Sequence, residues 1–255
     1  ENRYVLFHNV ISHENKPFER FLLKRFIKII GLCIVMNNYN KELILKINPK
    51  ANIISNFHPI YEIPYADNSK NNYKADLNIN TEKTILFFGL IREYKGLDLL
   101  INAIALSRNK IKDLKVLVVG ENYESLEKYH EMIRANNMED SFIFINHFVD
   151  KDDIKKYFLS SELVVLPYKS ASQSGVLSLA YNFNRPVVIT NVGGLSDYVS
   201  DKKSGFIVEP DPVHISKKIN MFFEENLFEM MSKFIKDNKK IFSWESFEKK
   251  LKLYE

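Results

Sequence analysis

The loop 88–96 carries two cationic side chains, Arg92 and Lys95, directly before an apolar segment with helical spacing. Arginine and lysine beside a helix amino terminus form an anion site, because the N–H groups and dipole of the helix add to their positive charges. A phosphate group is the ligand that such a loop holds best. The same residues also fit an ordinary solvated loop, so this loop alone does not decide between the two.

A second segment, 167–176, places small hydroxyl residues and Gly175 before another helical pattern. The N–H groups of the first turn of that helix would face the same edge of a parallel sheet as the loop 88–96. Two such turns suit a diphosphate better than a single phosphate. For Ser172 and Ser174 the alternative is a plain helix cap.

Several catalytic motifs are missing from the sequence. It contains no G-x-G-x-x-G after the predicted strand that precedes Gly89, no P-loop, no H-E-x-x-H and no G-x-S-x-G. Without them, a dinucleotide-dependent oxidoreductase and a zinc or serine hydrolase have no support.

The elements that must position these segments follow from hydrophobic spacing. From Thr84 onward, short runs rich in β-branched residues alternate with stretches of helical period, which is typical of strand–helix units and a parallel sheet. The predicted strands are Thr84–Phe88, Lys115–Val119, Phe142–Ile145, Leu163–Leu166, Val187–Thr190 and 206–208. The predicted helices between them are Leu97–Ser107, 123–136, 152–159 and 175–183. The pattern predicts an α/β fold, a Rossmann-like parallel sheet with helices on both faces.

Glycines mark one edge of this predicted sheet. Gly89 and Gly120 directly follow the first two of its strands, and Gly193 and Gly194 follow the fifth. Parallel sheets bind ligands at the carboxyl ends of their strands, where a missing side chain lets the backbone approach closely. The glycines therefore favour a cleft along that edge, although each also fits a tight turn.

Residues 66–83 are polar and rich in asparagine, which is typical of a linker or exposed loop. Ahead of them the pattern predicts a strand at Tyr4–Phe7, a helix over 18–32, a strand at 33–36, a helix after Asn40 and a strand at 53–54. We expect about 65 residues to be too few for a Rossmann-like domain with its own covered sheet, and so to form the end of one. The predicted divisions are 1–65, 66–83, 84–240 and 241–255.

Composition narrows the class of protein. With 45% hydrophobic and 27% charged residues among 255, the chain is typical of a folded globular protein. A single cysteine, Cys33, excludes an internal disulfide and favours a reducing cytoplasm. No apolar run reaches the roughly 18 residues of a membrane-spanning helix.

Positive charge is unevenly distributed. Residues 1–80 contain eleven Lys and Arg against seven Asp and Glu, whereas the remainder contains 25 of each. This balanced second region has no basic stripe interleaved with aromatic residues, so we do not expect nucleic-acid binding.

Over residues 84–255 the sequence resembles the group 1 retaining glycosyltransferases (family 4) of GT-B fold. The residues that carry the resemblance are 88–96, 118–121, 167–168, 172–175, 186–188, 193–197 and 205–208. His8 and Asn9, with 53–59, are similar to the end of the amino-terminal, acceptor-binding domain of that family. We expect the chain to comprise part of that domain and a nucleotide-sugar donor domain, with a last helix that contains Trp244 and returns to the former.

The resemblance implies specific roles. Arg92 and Lys95 would bind the donor diphosphate and stabilise the leaving group, and His8 would lie near the transferred sugar, which makes these three the implied catalytic residues. The implied donor-binding residues are Gly89, Arg92, Lys95, Glu121, Phe148, Val149, Ser172, Gln173, Ser174, Gly175 and Val176. Phe148 and Val149 would meet the base. No metal and no cofactor are implied.

The sequence departs from the family pattern in three places. Two glutamates usually stand eight residues apart beside the second phosphate turn, where this chain has Ala171 and Leu179. Leu90 replaces a usual arginine, and Gln173 could replace a carboxylate as hydrogen-bond partner of the sugar or ribose. Lost activity, which would leave a nucleotide-sugar-binding module without turnover, is the alternative that these departures raise. A GT-B nucleotide-sugar 2-epimerase is a separate alternative, and it would need further carboxylates and histidines in the cleft that the sequence does not offer.

The predicted helix 18–32 has a basic stripe of Arg20, Lys24 and Lys28. On the opposite side lie Phe18, Leu22, Phe26, Ile29 and Ile30. Such a helix can lie on anionic lipid or can cover a sheet with its other face wet. The resemblance implies a bacterial cytoplasmic enzyme of cell-surface polysaccharide synthesis that takes a nucleotide-sugar donor and a glycan or lipid-linked acceptor. Peripheral contact with the inner face of the membrane is a further expectation.

Overall fold

A computed structural model describes residues 3–11, 18–65 and 73–252, without the side chains of Glu19 and Arg20. The chain forms two compact units. The smaller unit comprises Glu1–Ile60 with Lys240–Glu255, and the larger unit comprises Tyr61–Lys239. The domain limits at 66–83 and 241 stay a prediction.

Strands and helices alternate along the described residues. The strands are β1 Tyr4–Phe7, β2 Leu32–Val35, β3 Ile53–Ser55, β4 Thr84–Phe88, β5 Lys115–Val119, β6 Phe142–Ile145, β7 Leu163–Leu166, β8 Val187–Thr190 and β9 Gly205–Val208. The α-helices are α1 Glu19–Ile29, α2 Asn38–Ile47, α3 Tyr73–Asp76, α4 Leu97–Ser107, α5 Glu127–Ala135, α6 Ile154–Leu159, α7 Gly175–Asn182, α8 Pro212–Glu224, α9 Phe228–Asn238 and α10 Trp244–Lys252.

The larger unit contains a six-stranded sheet with the order β6-β5-β4-β7-β8-β9. Every neighbouring pair is parallel. The order reverses between β4 and β7, and ligands of doubly wound sheets bind at the carboxyl edge of such a switch point. The two sequence segments with candidate chemistry follow these two strands, so the topology brings them to one place.

Helices cover both faces of this sheet. On one face Ile85 and Phe87 of β4 pack in a core that includes Leu100 of α4, Ile133 of α5 and Ile219 of α8. On the other face Phe88 lies against Phe158 of α6, with ring centroids 5.1 Å apart. The Rossmann-like α/β sheet predicted from the sequence is thus confirmed.

The smaller unit has a parallel sheet of order β1-β2-β3. Helix α1 covers it through buried Ile27, with partly buried Leu23 and Ile30. Four of the five residues assigned to the apolar side of this helix are instead exposed: Phe18, Leu22, Phe26 and Ile29. Helix α1 therefore covers the sheet, but with a different stripe from the one that the spacing predicted.

Some element ends differ from the predictions because of contacts distant in sequence. The helix predicted over 18–32 ends at Ile29, since the N–H groups of Gly31 and Leu32 donate to the Arg3 carbonyl and begin β2. The helix predicted from 123 begins at Glu127, because the N–H of Tyr123 donates to the Ile91 carbonyl.

The segment predicted as a linker, 66–83, is packed in its second half. Residues 66–72 lie outside the described residues. Lys74 of α3 donates to Glu162 at 2.7 Å, and Ile79 is buried. Burial raises the pKa of the Glu162 carboxyl, and Lys74 opposes that rise.

Helix α10 belongs to the smaller unit. The Asn56 side chain donates to the Phe247 carbonyl at 3.1 Å, and the rings of Phe57 and Phe247 are 5.9 Å apart. Trp244 begins this helix and packs edge-on against Phe247, while more than half of its surface stays exposed. Within the described ranges we find no helix with the length and apolar character that crossing a bilayer requires.

Candidate anion-binding site

Two turns meet at the carboxyl edge of the switch point. We call residues 89–96, after β4, the cationic turn, and residues 167–175, after β7, the serine turn. The Lys95 ammonium donates to the Tyr168 hydroxyl at 2.7 Å, and that hydroxyl lies 3.1 Å from Ser174 Oγ. A Cβ placed on Gly89 would lie 3.9 Å from Lys95 Nζ and 3.4 Å from a Val176 methyl. These five residues, Gly89, Lys95, Tyr168, Ser174 and Val176, form what we call the lysine cluster.

The backbones of the two turns are joined. Gly96 has a φ of +71°, and a Cβ there would come within 1.9 Å of the Pro167 carbonyl oxygen. The Lys169 N–H donates to the Tyr94 carbonyl at 2.8 Å, and the Lys169 ammonium pairs with Asp98 at 2.8 Å. Only glycine fits position 96, because its left-handed φ and the approach of the serine turn both exclude a side chain.

The amino terminus of α7 lies at the serine turn. Ser174 occupies the N-cap position, but its side chain makes no cap hydrogen bond there and contacts Tyr168 instead. Ser174 thus stands at the N-cap of α7 without capping it through its hydroxyl. The N–H groups and dipole of α7 thus add positive potential beside Lys95.

Arg92 lies in a second group of residues at the same edge. It is exposed, and its guanidinium carbon lies 4.9 Å from the ring centroid of Tyr123. The Tyr123 hydroxyl donates to Glu121 at 3.3 Å, and the Glu121 carbonyl accepts from Ile91. Among the described residues, neither Arg92 nor Lys95 has a carboxylate within 4 Å, so both charges are available to an anion.

The remaining predicted donor residues differ in exposure. Phe148, which follows β6, is 70% exposed, whereas the side chain of Val149 is buried. In the serine turn Ser172 is buried and its carbonyl accepts from Gly194, Gln173 is half-buried, and Gly175 is exposed. A Cβ on Gly175 would contact the Tyr61 ring at 3.2 Å, so Tyr61 also borders this turn. The roles of these residues stay predictions.

Ala171 and Leu179 stand where the family usually has glutamates, and both are buried. A Cβ on Gly193 would lie 1.5 Å from the Ala171 carbonyl oxygen, so this part of the serine turn packs directly on the loop after β8. Both positions therefore carry a buried apolar side chain in place of a carboxylate.

His8 lies in the smaller unit, where it faces a second histidine. It is exposed, and its ring centroid is 6.0 Å from that of His58. Burial lowers the pKa of the His58 imidazole, its hydrogen bond with the Pro59 carbonyl opposes this shift, and the nearby His8 adds to it. The predicted role of His8 near a transferred sugar stays a prediction.

The sequence interpretation missed Tyr168 as a hydrogen-bond partner of Ser174 and Tyr123 as a support for Arg92. Each tyrosine lies within five residues of a predicted strand end, and that position is the one signal that could have marked them. In the ranges 3–11, 18–65 and 73–252, no group of three or more His, Cys, Asp or Glu side chains is arranged to hold a metal ion.

Comparison with known proteins gives a consistent result. The family model of glycosyl transferases group 1 matches residues 69–241, more than half of the chain. Human alpha-1,3/1,6-mannosyltransferase ALG2 is 33% identical over 114 residues, which is 44% of this chain and 26% of that protein. The D-inositol 3-phosphate glycosyltransferase of Arthrobacter sp. (strain FB24) is 32% identical over 142 residues, 53% of this chain and 33% of that protein. The chain thus spans about a quarter to a third of these two relatives.

A solved structure agrees over nearly the whole chain. The crystal structure of Anabaena Alr3699/HepE in complex with UDP matches 98% of this chain and 71% of that one with a TM-score of 0.84. Sequence identity is 15%, so this likeness shows the fold alone. It confirms the fold that the resemblance predicted.

Proposed function

We propose a function for this chain from the fact that it belongs to the family of glycosyl transferases group 1. This is the family that its sequence resembles. The function is transfer of a sugar, with retention, from a nucleoside diphosphate to a glycan or lipid-linked acceptor in cell-surface polysaccharide synthesis. The observation that carries it is the 2.7 Å hydrogen bond that holds the Lys95 ammonium at the switch point, opposite the amino terminus of α7. A diphosphate fits between two positive ends of this kind.

Catalysis in this proposal is electrostatic. The bond between the anomeric carbon and the diphosphate oxygen breaks, and its electron pair stays on that oxygen. The acceptor oxygen bonds the same face of the anomeric carbon, and its proton passes to the departing diphosphate. Lys95, Arg92 and the amides of Gly175 and Val176 stabilise the negative charge as it develops, so the step uses neither a metal nor a covalent nucleophile.

Calorimetry with UDP, GDP and ADP tests the donor site. We expect one of these to bind the 255-residue chain, because UDP is bound in the structural relative. The double variant Arg92→Ala/Lys95→Ala should bind at least about 30-fold more weakly, since two charge-assisted hydrogen bonds are lost. The control Lys110→Ala/Lys112→Ala removes the same charge from the opposite edge of the sheet, just before β5. Equal affinities of the two double variants would contradict the proposal.

A binding module without turnover is the second candidate. The buried Ala171 and Leu179 favour it, because carboxylates near sugar and ribose are replaced by apolar side chains. Release of UDP from a UDP-sugar, measured on the same preparation, separates the candidates. Tight UDP binding without release, with and without a lipid-linked acceptor, would support the module and contradict the transferase.

We further propose that α1 contacts anionic lipid at the cytoplasmic face of a membrane. Phe18, Phe21, Leu22 and Ile29 are each more than half exposed, and Lys24, Arg25 and Lys28 are exposed among them. Exposed apolar side chains with interleaved cations are complementary to a negatively charged bilayer surface. The side chain of Arg20, which the sequence placed in the basic stripe, lies outside the described residues.

Vesicle sedimentation tests this contact. Because each cation near the surface contributes about 1 kcal/mol, Lys24→Ala/Lys28→Ala should weaken binding to phosphatidylglycerol vesicles roughly 30-fold. The control Lys46→Ala/Lys50→Ala removes two exposed charges elsewhere in the smaller unit. Equal binding to neutral phosphatidylcholine vesicles would refute the electrostatic part, and no vesicle binding would refute the contact.

A further inference from the structure

The Tyr168 hydroxyl connects the two sides of the candidate site. Only 1% of Tyr168 is exposed, and its hydroxyl lies between Lys95 Nζ at 2.7 Å and Ser174 Oγ at 3.1 Å. Lys95 Nζ also lies 4.2 Å from the centroid of the same ring. One tyrosine thus contacts the ammonium through both its oxygen and its aromatic face.

The backbone of Tyr168 is fixed independently of any ligand. Its carbonyl accepts a hydrogen bond from Thr190 Oγ1 at 2.6 Å, and the next N–H, that of Lys169, donates to the Tyr94 carbonyl. Pro167, just before it, lies against Gly96. Three contacts thus fix the backbone around Tyr168, and its side chain is buried.

Hydrogen-bond chemistry sets the direction of this chain of contacts. An ammonium can only donate, so the Tyr168 oxygen must accept from Lys95. The single proton of the Tyr168 hydroxyl is then available to Ser174 Oγ. Once Ser174 Oγ accepts this hydrogen bond, the hydrogen of its own hydroxyl must point elsewhere. The chain Lys95 to Tyr168 to Ser174 accordingly ends in a donor.

We infer that Tyr168 is a positioning residue that orients Lys95 and makes Ser174 a hydrogen-bond donor toward the diphosphate before the ligand binds. The inference rests on the proposed function, because in that function the donor diphosphate accepts the hydrogen bonds of Lys95 and Ser174. Lys95 donates one of its three N–H groups to Tyr168, and the other two can donate to phosphate oxygens. Tyr168 itself does not touch the ligand.

Tyr168→Phe tests the inference, because phenylalanine keeps the ring and removes only the hydroxyl. We expect UDP to bind about tenfold more weakly, because Lys95 loses the partner that orients it and Ser174 is no longer held as a donor. Binding of uridine, followed by ligand-observed NMR, should be unchanged, since the effect is confined to the diphosphate. Equal weakening of UDP and uridine would indicate a collapsed site and would overturn a positioning role.

A double-mutant cycle gives the sharper result. With Tyr168→Phe already present, Ser174→Ala should cost no more than a further 1.5-fold in UDP affinity, because Ser174 is no longer held as a donor. If the two effects multiply, the residues act independently and the inference is wrong. GDP and guanosine replace UDP and uridine if the nucleotide panel shows that GDP binds more tightly.

The matched control is Tyr181→Phe. Tyr181 is also buried, and its hydroxyl hydrogen-bonds the Tyr198 carbonyl and Ser204, away from the lysine cluster. This variant should lower the melting temperature without changing UDP affinity. If wild-type chain binds no nucleoside diphosphate, the proposed function fails. If it binds and Tyr168→Phe binds equally well, only the positioning role fails.

Discussion

The cationic turn and the serine turn reach the same edge of the sheet by different physical means. The cationic turn acts through long side chains: Arg92 is exposed on an aromatic ring, and Lys95 is half-buried. The serine turn is fixed by the packing of its backbone, with Ala171 and Ser172 buried against the loop after β8. Substitution of Arg92 or Lys95 can therefore change the charge of the site without refolding the chain. The positions of the amides in the serine turn cannot change unless that turn refolds.

The largest effect that this comparison predicts is that of Gly193→Ala. Gly193 has a φ of +56°, and an added Cβ would lie 1.5 Å from the Ala171 carbonyl oxygen. We expect a loss of roughly 2 to 5 kcal/mol in the free energy of unfolding, from backbone strain and overpacking together. Urea denaturation measures it, and UDP binding should disappear with the displaced serine turn.

Asn191→Ala is the control for this variant, because Asn191 is exposed in the same loop. It should leave both stability and UDP affinity close to those of the wild type. A Gly193→Ala protein with less than about 0.5 kcal/mol of destabilisation would show that the serine turn adapts easily. The distinction between the two turns would then be lost.

A smaller effect separates the two cations of the cationic turn. Lys95→Ala should lower UDP affinity roughly 10- to 100-fold while the melting temperature stays within about 2 °C, because Lys95 is partly desolvated in the lysine cluster. Arg92→Ala should cost about threefold, since exposed charges interact weakly in water. Calorimetry at two salt concentrations checks this difference. A larger loss from Arg92→Ala would reverse the order of importance that exposure predicts.

Much of the larger unit could be predicted from the sequence, because its strands are short, β-branched and separated by helical spacing. Strand β4 and helix α4 have the predicted bounds. Gly89 and Lys95 could be assigned to one edge, since both lie in the loop that follows a predicted strand. The family match confirms the predicted resemblance.

The hydrogen bond between Lys95 and Tyr168 could not be predicted, because it joins residues 73 positions apart. The two residues meet because β4 and β7 are neighbours in the sheet. Which strands become neighbours is not encoded in the local spacing of residues. The start of α5 was misplaced for a similar reason, since Tyr123 is held by Ile91 of another turn. The stripe of α1 that packs on the sheet was also missed, because both of its sides are rich in large apolar residues.

The smallest effect concerns the support of Arg92 by Tyr123. Tyr123 is 59% exposed, and its ring is the part that contacts the guanidinium. A cation–π contact of this exposure contributes about 0.5 kcal/mol, so Tyr123→Ala should weaken UDP binding roughly twofold. Tyr123→Phe keeps the ring and should bind UDP like the wild type, which makes it the matched control.

Combining Tyr123→Ala with Arg92→Ala decides how this support works. If the ring acts only by holding Arg92, the double variant binds UDP as weakly as Arg92→Ala alone. If Tyr123 contacts the nucleotide by itself, the losses multiply. The first outcome would separate the two turns again. It would mean that Arg92 depends on one exposed ring that a single substitution removes, whereas the serine turn is held by the packing of buried backbone.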